Sequence, residues 1–188
     1  MAIQIVLMQT DKTYSLPDKT YSQPDEYIFF FGENNNFGWL SNFFKLPFTV
    51  DGITFLTNEH FFMWSKCKKF EPNNKKLQQD ILNTTHPKDA KQFGRKVKNF
   101  DEAVWDSVKF DIMKKGLTEK FSQLEYKVKL LDTNNKILVE ASPYDKIWGI
   151  GYSEKDAWNL SKDAWNKVLQ ERNLLGKALM EVRTILKK

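Results

Sequence analysis

The sequence predicts an α+β fold: a single, mostly helical domain with a small antiparallel β-sheet near the N-terminus. Three observations carry this. Two short β-prone runs, LPFTV and ITF, are split by Asp51-Gly52. Beyond residue 57, apolar residues recur at helical spacing behind capping residues. The closing stretch sets Leu174, Leu175, Ala178, Leu179, Val182, Ile185 and Leu186 on one stripe, with Lys177, Glu181 and Lys188 elsewhere.

Taken in order, residues 11–24 read DKTYSLP then DKTYSQP, a tandem repeat with two prolines and no apolar periodicity. That composition predicts an extended tail over residues 1–26, either an inert leader or a docking peptide. The domain is expected over 27–188, opening with YIFFF as a buried strand. GENNNFGWLSNFF follows, with the Asn and Gly content of a loop. Asp51-Gly52 then predicts a hairpin, because both central residues of a type I′ turn need positive φ.

Thr57 or Asn58 can cap a helix running to about Phe70. A short helix is expected over 75–83. Pro87 suits the first turn of another that reaches about Lys98. Asp101 is placed to cap a helix on which Val104, Val108 and Ile112 repeat, ending at Gly116. Further helix is expected from LTEKFSQ onward, a short strand over Lys136–Ser142, and the last helix from Asn173.

A chain of 188 residues suits one domain with a sizeable core. The single Cys67 excludes an internal disulfide and a cysteine metal cluster. Two histidines, His60 and His86, argue against zinc, so no metal or cofactor is expected, although carboxylate-bound Mg²⁺ stays open. No apolar run approaches the ~20 residues of a membrane span. The start lacks a basic segment and a cleavage site, so no membrane partner and a cytoplasmic location are expected. A net charge of +5 suits an anionic partner, a phosphate ester, nucleotide or nucleic acid, and is also common without one.

Three stretches can carry chemistry. In NEHFFMWSK, residues 58–66, Glu59 and Lys66 lie roughly 20° apart on one helical face and about 10 Å apart along the axis. They bracket Met63 and either line a pocket or form a solvated face. Phe61, Phe62, Met63 and Trp64 leave little of this helix for solvent, which favours the pocket. In EASPYDKIWGIG, residues 140–151, Asp145 precedes Trp148-Gly149-Ile150-Gly151. The glycines permit close approach to a flat ligand, or form a turn around a core Trp. In AKQFGRKVK, residues 90–98, Lys91, Arg95, Lys96 and Lys98 make either a phosphate clamp or a basic face.

In this order, the stretches resemble the YbiA-like, or NADAR, family. The resemblance rests on FGWLSNFFKLPFTVDGITFLTNEHFFMWSK, AKQFGRKVKNFDEAVWDSVKFDIM, EASPYDKIWGIG and NLLGKALMEVR, and covers about residues 27–188. One departure stands out. The family's short Trp-x-Gly-x-Asn link into the last helix is replaced here by Trp158-Asn159 and SKDAWNKVLQER, with no glycine, which predicts extra helix over 160–172.

The resemblance implies a YbiA-like fold and N-glycosidase chemistry on ribosylated bases or amines. The substrates it implies are phosphoribosylaminopyrimidine intermediates of riboflavin synthesis, or ADP-ribose on guanine, free or within nucleic acid. It implies catalytic roles for Glu59, Lys66 and Asp145. Trp39, Ser41, Asn42, Arg95, Trp105, Trp148, Gly149 and Asn173 would line the cleft. Glu59 or Asp145 can balance cationic charge at the sugar C1. Lys66 can hold a phosphate or, if neutral, form a Schiff base. The alternative is a module that binds ADP-ribose, a nucleotide or nucleic acid without chemistry.

Overall fold

The computed structural model describes residues 26–188, so the repeat tail lies outside the described residues. Strand β1, Tyr27–Phe30, alternates half-buried and buried side chains. The Asn-rich loop after it ends in a 3-10 turn, Gly38–Leu40. Strands β2, Phe48–Val50, and β3, Ile53–Phe55, form the antiparallel hairpin expected around Asp51-Gly52, whose φ values are 49° and 80°. The sequence reading missed a second sheet. Strand β1 pairs in parallel with β4, Ile137–Glu140, in register Tyr27↔Ile137 to Phe30↔Glu140.

Helix α1, Asn58–Phe70, starts where Thr57 accepts the amide of His60. Helices α2, Lys75–Asn83, and α3, Pro87–Arg95, follow. α3 stops short of Lys98, because its last turn tightens through Lys96 N–H to the Phe93 carbonyl. Helix α4, Glu102–Phe121, is capped by Asp101 as expected but does not end at Gly116. Gly116 is interior to it, where a Cβ would meet Asn58 Oδ1 and the Phe61 ring. The buried face also differs from the Val104 stripe. Val104 is exposed, while Trp105, Met113, Leu117 and Phe121 are buried. α4 packs against both α1 and the last helix, and those neighbours select the face.

Helix α5 spans Leu124–Leu131, so LTEKF belongs to α4 instead. The short α6, Glu154–Ala157, precedes α7, Lys162–Glu171, the extra helix expected over 160–172. Trp165 of α7 packs edge-on against Tyr27, with ring centroids 5.5 Å apart, so this segment covers the outer side of β1. Helix α8, Leu174–Leu186, buries Leu175, Ala178, Leu179 and Val182 against α4, α5 and β4. No helix among the described residues is long and apolar enough to cross a membrane.

Candidate active site

Three of the ionisable groups on α1, Glu59, His60 and Lys66, have separate fates. His60 is fully buried and belongs to the core. Its Nδ1 lies 2.8 Å from Thr57 Oγ1 and its Nε2 donates to the Thr84 carbonyl at 3.0 Å. Burial holds it below its ordinary pKa, as a neutral ring. Glu59, in the first turn, is only 5 % exposed, and its Oε1 has no hydrogen-bond partner. Lys66 is half-buried, with Nζ 4.0 Å from the centre of the Phe100 ring.

Glu59 is surrounded by charge. Burial raises its pKa to about 7; Lys91 and Arg95 oppose the rise, and Asp145 adds to it. A second carboxyl shares this environment. Glu140, at the end of β4, also has a buried oxygen without a partner, Oε2. Its pKa rises to about 8, first through burial, then through Asp145 and Glu59, against the pull of Lys91. Two carboxyls whose pKa values are raised by burial amid a shared set of charges make this a candidate acid–base site.

Each element delivers one part. The amide of Glu59 donates to the Asn42 carbonyl at 3.1 Å, which fixes the start of α1 against the 41–44 loop. The ammonium of Lys91 faces the Phe43 ring of that loop, 5.9 Å from its centre. Asp145 accepts the amides of Ile147 and Trp148 at 2.9 and 2.8 Å, shaping the turn that follows β4. Gly149 is packed so tightly that a Cβ would sit 2.9 Å from Ser142 Cβ and 3.0 Å from the Glu140 carbonyl oxygen.

Aromatic rings join the two ends of α1. Trp148 meets Phe62 edge-on at 5.2 Å, Phe62 meets Trp105 at 5.0 Å, Trp105 meets Phe70 at 6.2 Å, and Phe70 meets Phe100 at 5.2 Å. Glu59, Phe62, Lys66 and Phe70 follow one helical stripe, so this row runs from the carboxyl end to the ammonium. Lys66 itself is not among the charges acting on Glu59.

Several residues expected to touch a ligand are committed to the protein. The Asn42 amide bonds to Asn58 and Met113, and Ser41 Oγ accepts the Phe43 amide. Trp105 is buried between Phe62 and Phe70. Asn173, at φ 64°, donates to the Leu138 carbonyl and accepts the Glu140 amide. These four support the site from beneath. Trp39 and Trp148 stay half-buried, packed in part against Phe121 and Phe62, and Arg95 is exposed. Beneath the loop, fully buried Lys120 donates to the carbonyls of Trp39 and Ser41, and burial lowers its pKa to about 7.

Two surface clefts lie elsewhere. One of about 820 Å³ runs along β1 to Asn36, Pro143 and Trp158. The other, about 510 Å³, lies between Trp64, Lys69 and Lys115. Neither is walled by Glu59 or Glu140. The sequence reading passed over Glu140 as a site residue, and weighed Lys91 only as one member of a phosphate clamp. Both sit inside the quoted motifs, in EASPYD and AKQFGR, and that was the available signal.

The NADAR domain family model matches residues 29–187. The chain belongs to the NADAR family. N-glycosidase R617 of Acanthamoeba polyphaga mimivirus is 37% identical over 166 residues, 84% of this chain and 95% of that one. N-glycosidase YbiA of Escherichia coli is 33% identical over 155 residues, 82% and 84% of the two chains. Its NMR structure matches with a TM-score of 0.66 at 32% identity, covering 89% of this chain and 88% of that one. The chloroplastic riboflavin biosynthesis protein PYRR of Zea mays is 31% identical over 140 residues, 71% of this chain and 20% of that protein. With these relatives, this NADAR domain is an N-glycosidase, a hydrolase acting on N-glycosyl bonds.

Proposed function

We propose that this enzyme hydrolyses the bond between ribose C1 and the nitrogen of a phosphorylated riboside, with a phosphoribosylaminopyrimidine as the leading substrate. The observation that carries the reading is Glu59, a buried carboxyl with an unpartnered oxygen amid Lys91, Arg95 and Asp145. Breaking a C1–N bond builds positive charge on the sugar, and a desolvated carboxylate beside C1 stabilises that charge far better than one in water. The named role of the maize relative favours a pyrimidine of riboflavin synthesis; ADP-ribosylated guanine is the other substrate class to offer.

Each residue has one task in this reading. Glu59 balances the charge at C1. Trp148 stacks on the base, with Trp39 beside it. Asp145 fixes the Trp148 turn and keeps negative charge near the carboxyls. Lys66 and Arg95 hold the anionic end of the substrate. For Lys66, burial lowers the pKa and so favours the neutral amine, while the face of the Phe100 ring favours the charged ammonium; of the two roles we assign it the phosphate.

The test is base release, followed by chromatography, from a 5-phosphoribosylaminopyrimidine and from ADP-ribosylated guanosine, with wild type and Glu59→Gln in parallel. Release from either substrate that the variant loses supports the reading and names the substrate. Release that the variant retains removes Glu59 from the chemistry. Release from neither substrate overturns both substrate classes.

A further inference from the structure

Resting on that reading, we propose that Glu140 is the proton carrier of the reaction, giving its proton to the leaving nitrogen while Glu59 faces C1 as the carboxylate. The backbone of Glu140 is held at three points. Its N–H donates to Asn173 Oδ1 at 3.0 Å, its carbonyl accepts the Ile150 amide at 2.9 Å, and the next amide, Ala141, donates to Phe30. The side chain therefore leaves a rigid strand end. Its Oε2 is buried and has no partner, as has Oε1 of Glu59, which is itself more than nine-tenths buried. In a folded protein an unpartnered buried oxygen costs free energy and calls for a reason, and a catalytic role is one that fits both carboxyls here.

The two carboxyls share neighbours but not in the same order. At Glu59 the foremost charge is a cation, Lys91, with Arg95 also contributing. At Glu140 the foremost charge is the Asp145 carboxylate, with Lys91 after it and Glu59 adding to the negative side. Glu140 thus stands in the more negative surroundings of the two. With its unpartnered buried oxygen at a rigid strand end, it is the carboxyl suited to carry the proton, and Glu59 the one suited to stay a carboxylate.

The step balances within the protein. As the C1–N bond breaks, its electron pair stays on nitrogen, which takes the Glu140 proton, and the base leaves neutral. The sugar cation is held against Glu59. Water then bonds to C1 and gives a proton to Glu140, restoring it. The products are the free base and the 1-hydroxyl sugar, with no other reactant consumed.

The experiment follows the side-chain carboxyl carbons of ¹³C-Glu-labelled full-length protein by NMR from pH 4 to 10, in wild type, Glu59→Gln and Glu140→Gln. Turnover is measured across the same range on whichever substrate wild type cleaves. Two carboxyls titrating far above the rest are expected, with Glu140 moving to lower pH in Glu59→Gln. Glu140→Gln should lose about 10²–10⁴-fold in kcat, the usual size of a general-acid contribution, together with the alkaline limb of the profile. Glu140→Asp, which keeps a proton on a shorter arm, should lose less. A Glu140 signal in the ordinary carboxyl range, or a Glu140→Gln profile like that of wild type, overturns the inference and leaves the glycosidase reading standing. Base release by wild type from neither substrate overturns both.

Discussion

The side chain of Asn173 accepts the backbone N–H of Glu140 at 3.0 Å, tying the left-handed residue before α8 to the end of β4. Its other end donates to Leu138, two residues back, so one amide clasps the strand on both sides. Asn173→Asp keeps the acceptor and the backbone tolerance but loses the donor, leaving the buried Leu138 carbonyl facing a carboxylate. The expected cost is about 1–3 kcal/mol in urea unfolding. Base release should fall with it, since the strand end that carries Glu140 loosens.

Stability should depend on pH through the carboxyls. Both have folded pKa values above the ordinary 4.5, about 7 for Glu59 and about 8 for Glu140. Between about pH 4.5 and 8 the unfolded chain has released protons that the folded one still holds. The unfolded state binds fewer protons there, so stability falls as pH rises through that window. Glu59→Gln removes its share. At pH 8 it should be on the order of 3 kcal/mol more stable than wild type, and the difference should vanish near pH 4. Thermal melts at both pH values check this.

Lys66 separates two chemistries. An ammonium that holds phosphate can be replaced by guanidinium, so Lys66→Arg should keep kcat within about tenfold, with the change mostly in KM. Lys66→Ala should raise KM further. Complete loss of turnover in Lys66→Arg, with substrate still bound, would point instead to a covalent imine at this nitrogen.

Two helix-contact glycines should respond differently to alanine. At Gly116 the new Cβ would collide with Asn58 Oδ1, and Asn58 is tied to Asn42 and Met113. Gly116→Ala should cost about 1–3 kcal/mol, the usual range for overpacking, and disturb the loop against which Glu59 is set. At Gly94 the obstacle is the Met63 sulfur, the far end of a flexible side chain. Gly94→Ala should cost less. Chemical denaturation of both variants side by side gives the comparison.

What the sequence revealed follows from the range of each signal. The Thr57 cap and the Asp51-Gly52 turn are written within a few residues, and both stand in the structure. Gly116 predicts a helix end because a mid-helix glycine is normally unfavourable; its reason is the approach of α1, which no local pattern shows. Glu59 was visible as a carboxyl among aromatics. Glu140 was not, because in a four-residue strand the sequence does not say which polar end turns inward. Lys66 was placed correctly on the Glu59 face, but its partner Phe100 comes from the segment before α4.

The parallel pairing of β1 with β4 joins residues more than a hundred positions apart, Tyr27 to Ile137. During synthesis the first strand is made long before its partner exists, and closing so large a loop is slow compared with forming the helices in between. The two carboxyls lie on opposite sides of that closure, Glu59 ahead of it and Glu140 on the strand that completes it. Asn173, which locks that strand, comes later still. A nascent chain therefore carries half of its acid–base pair without the other, and becomes competent only when its last helix has been delivered.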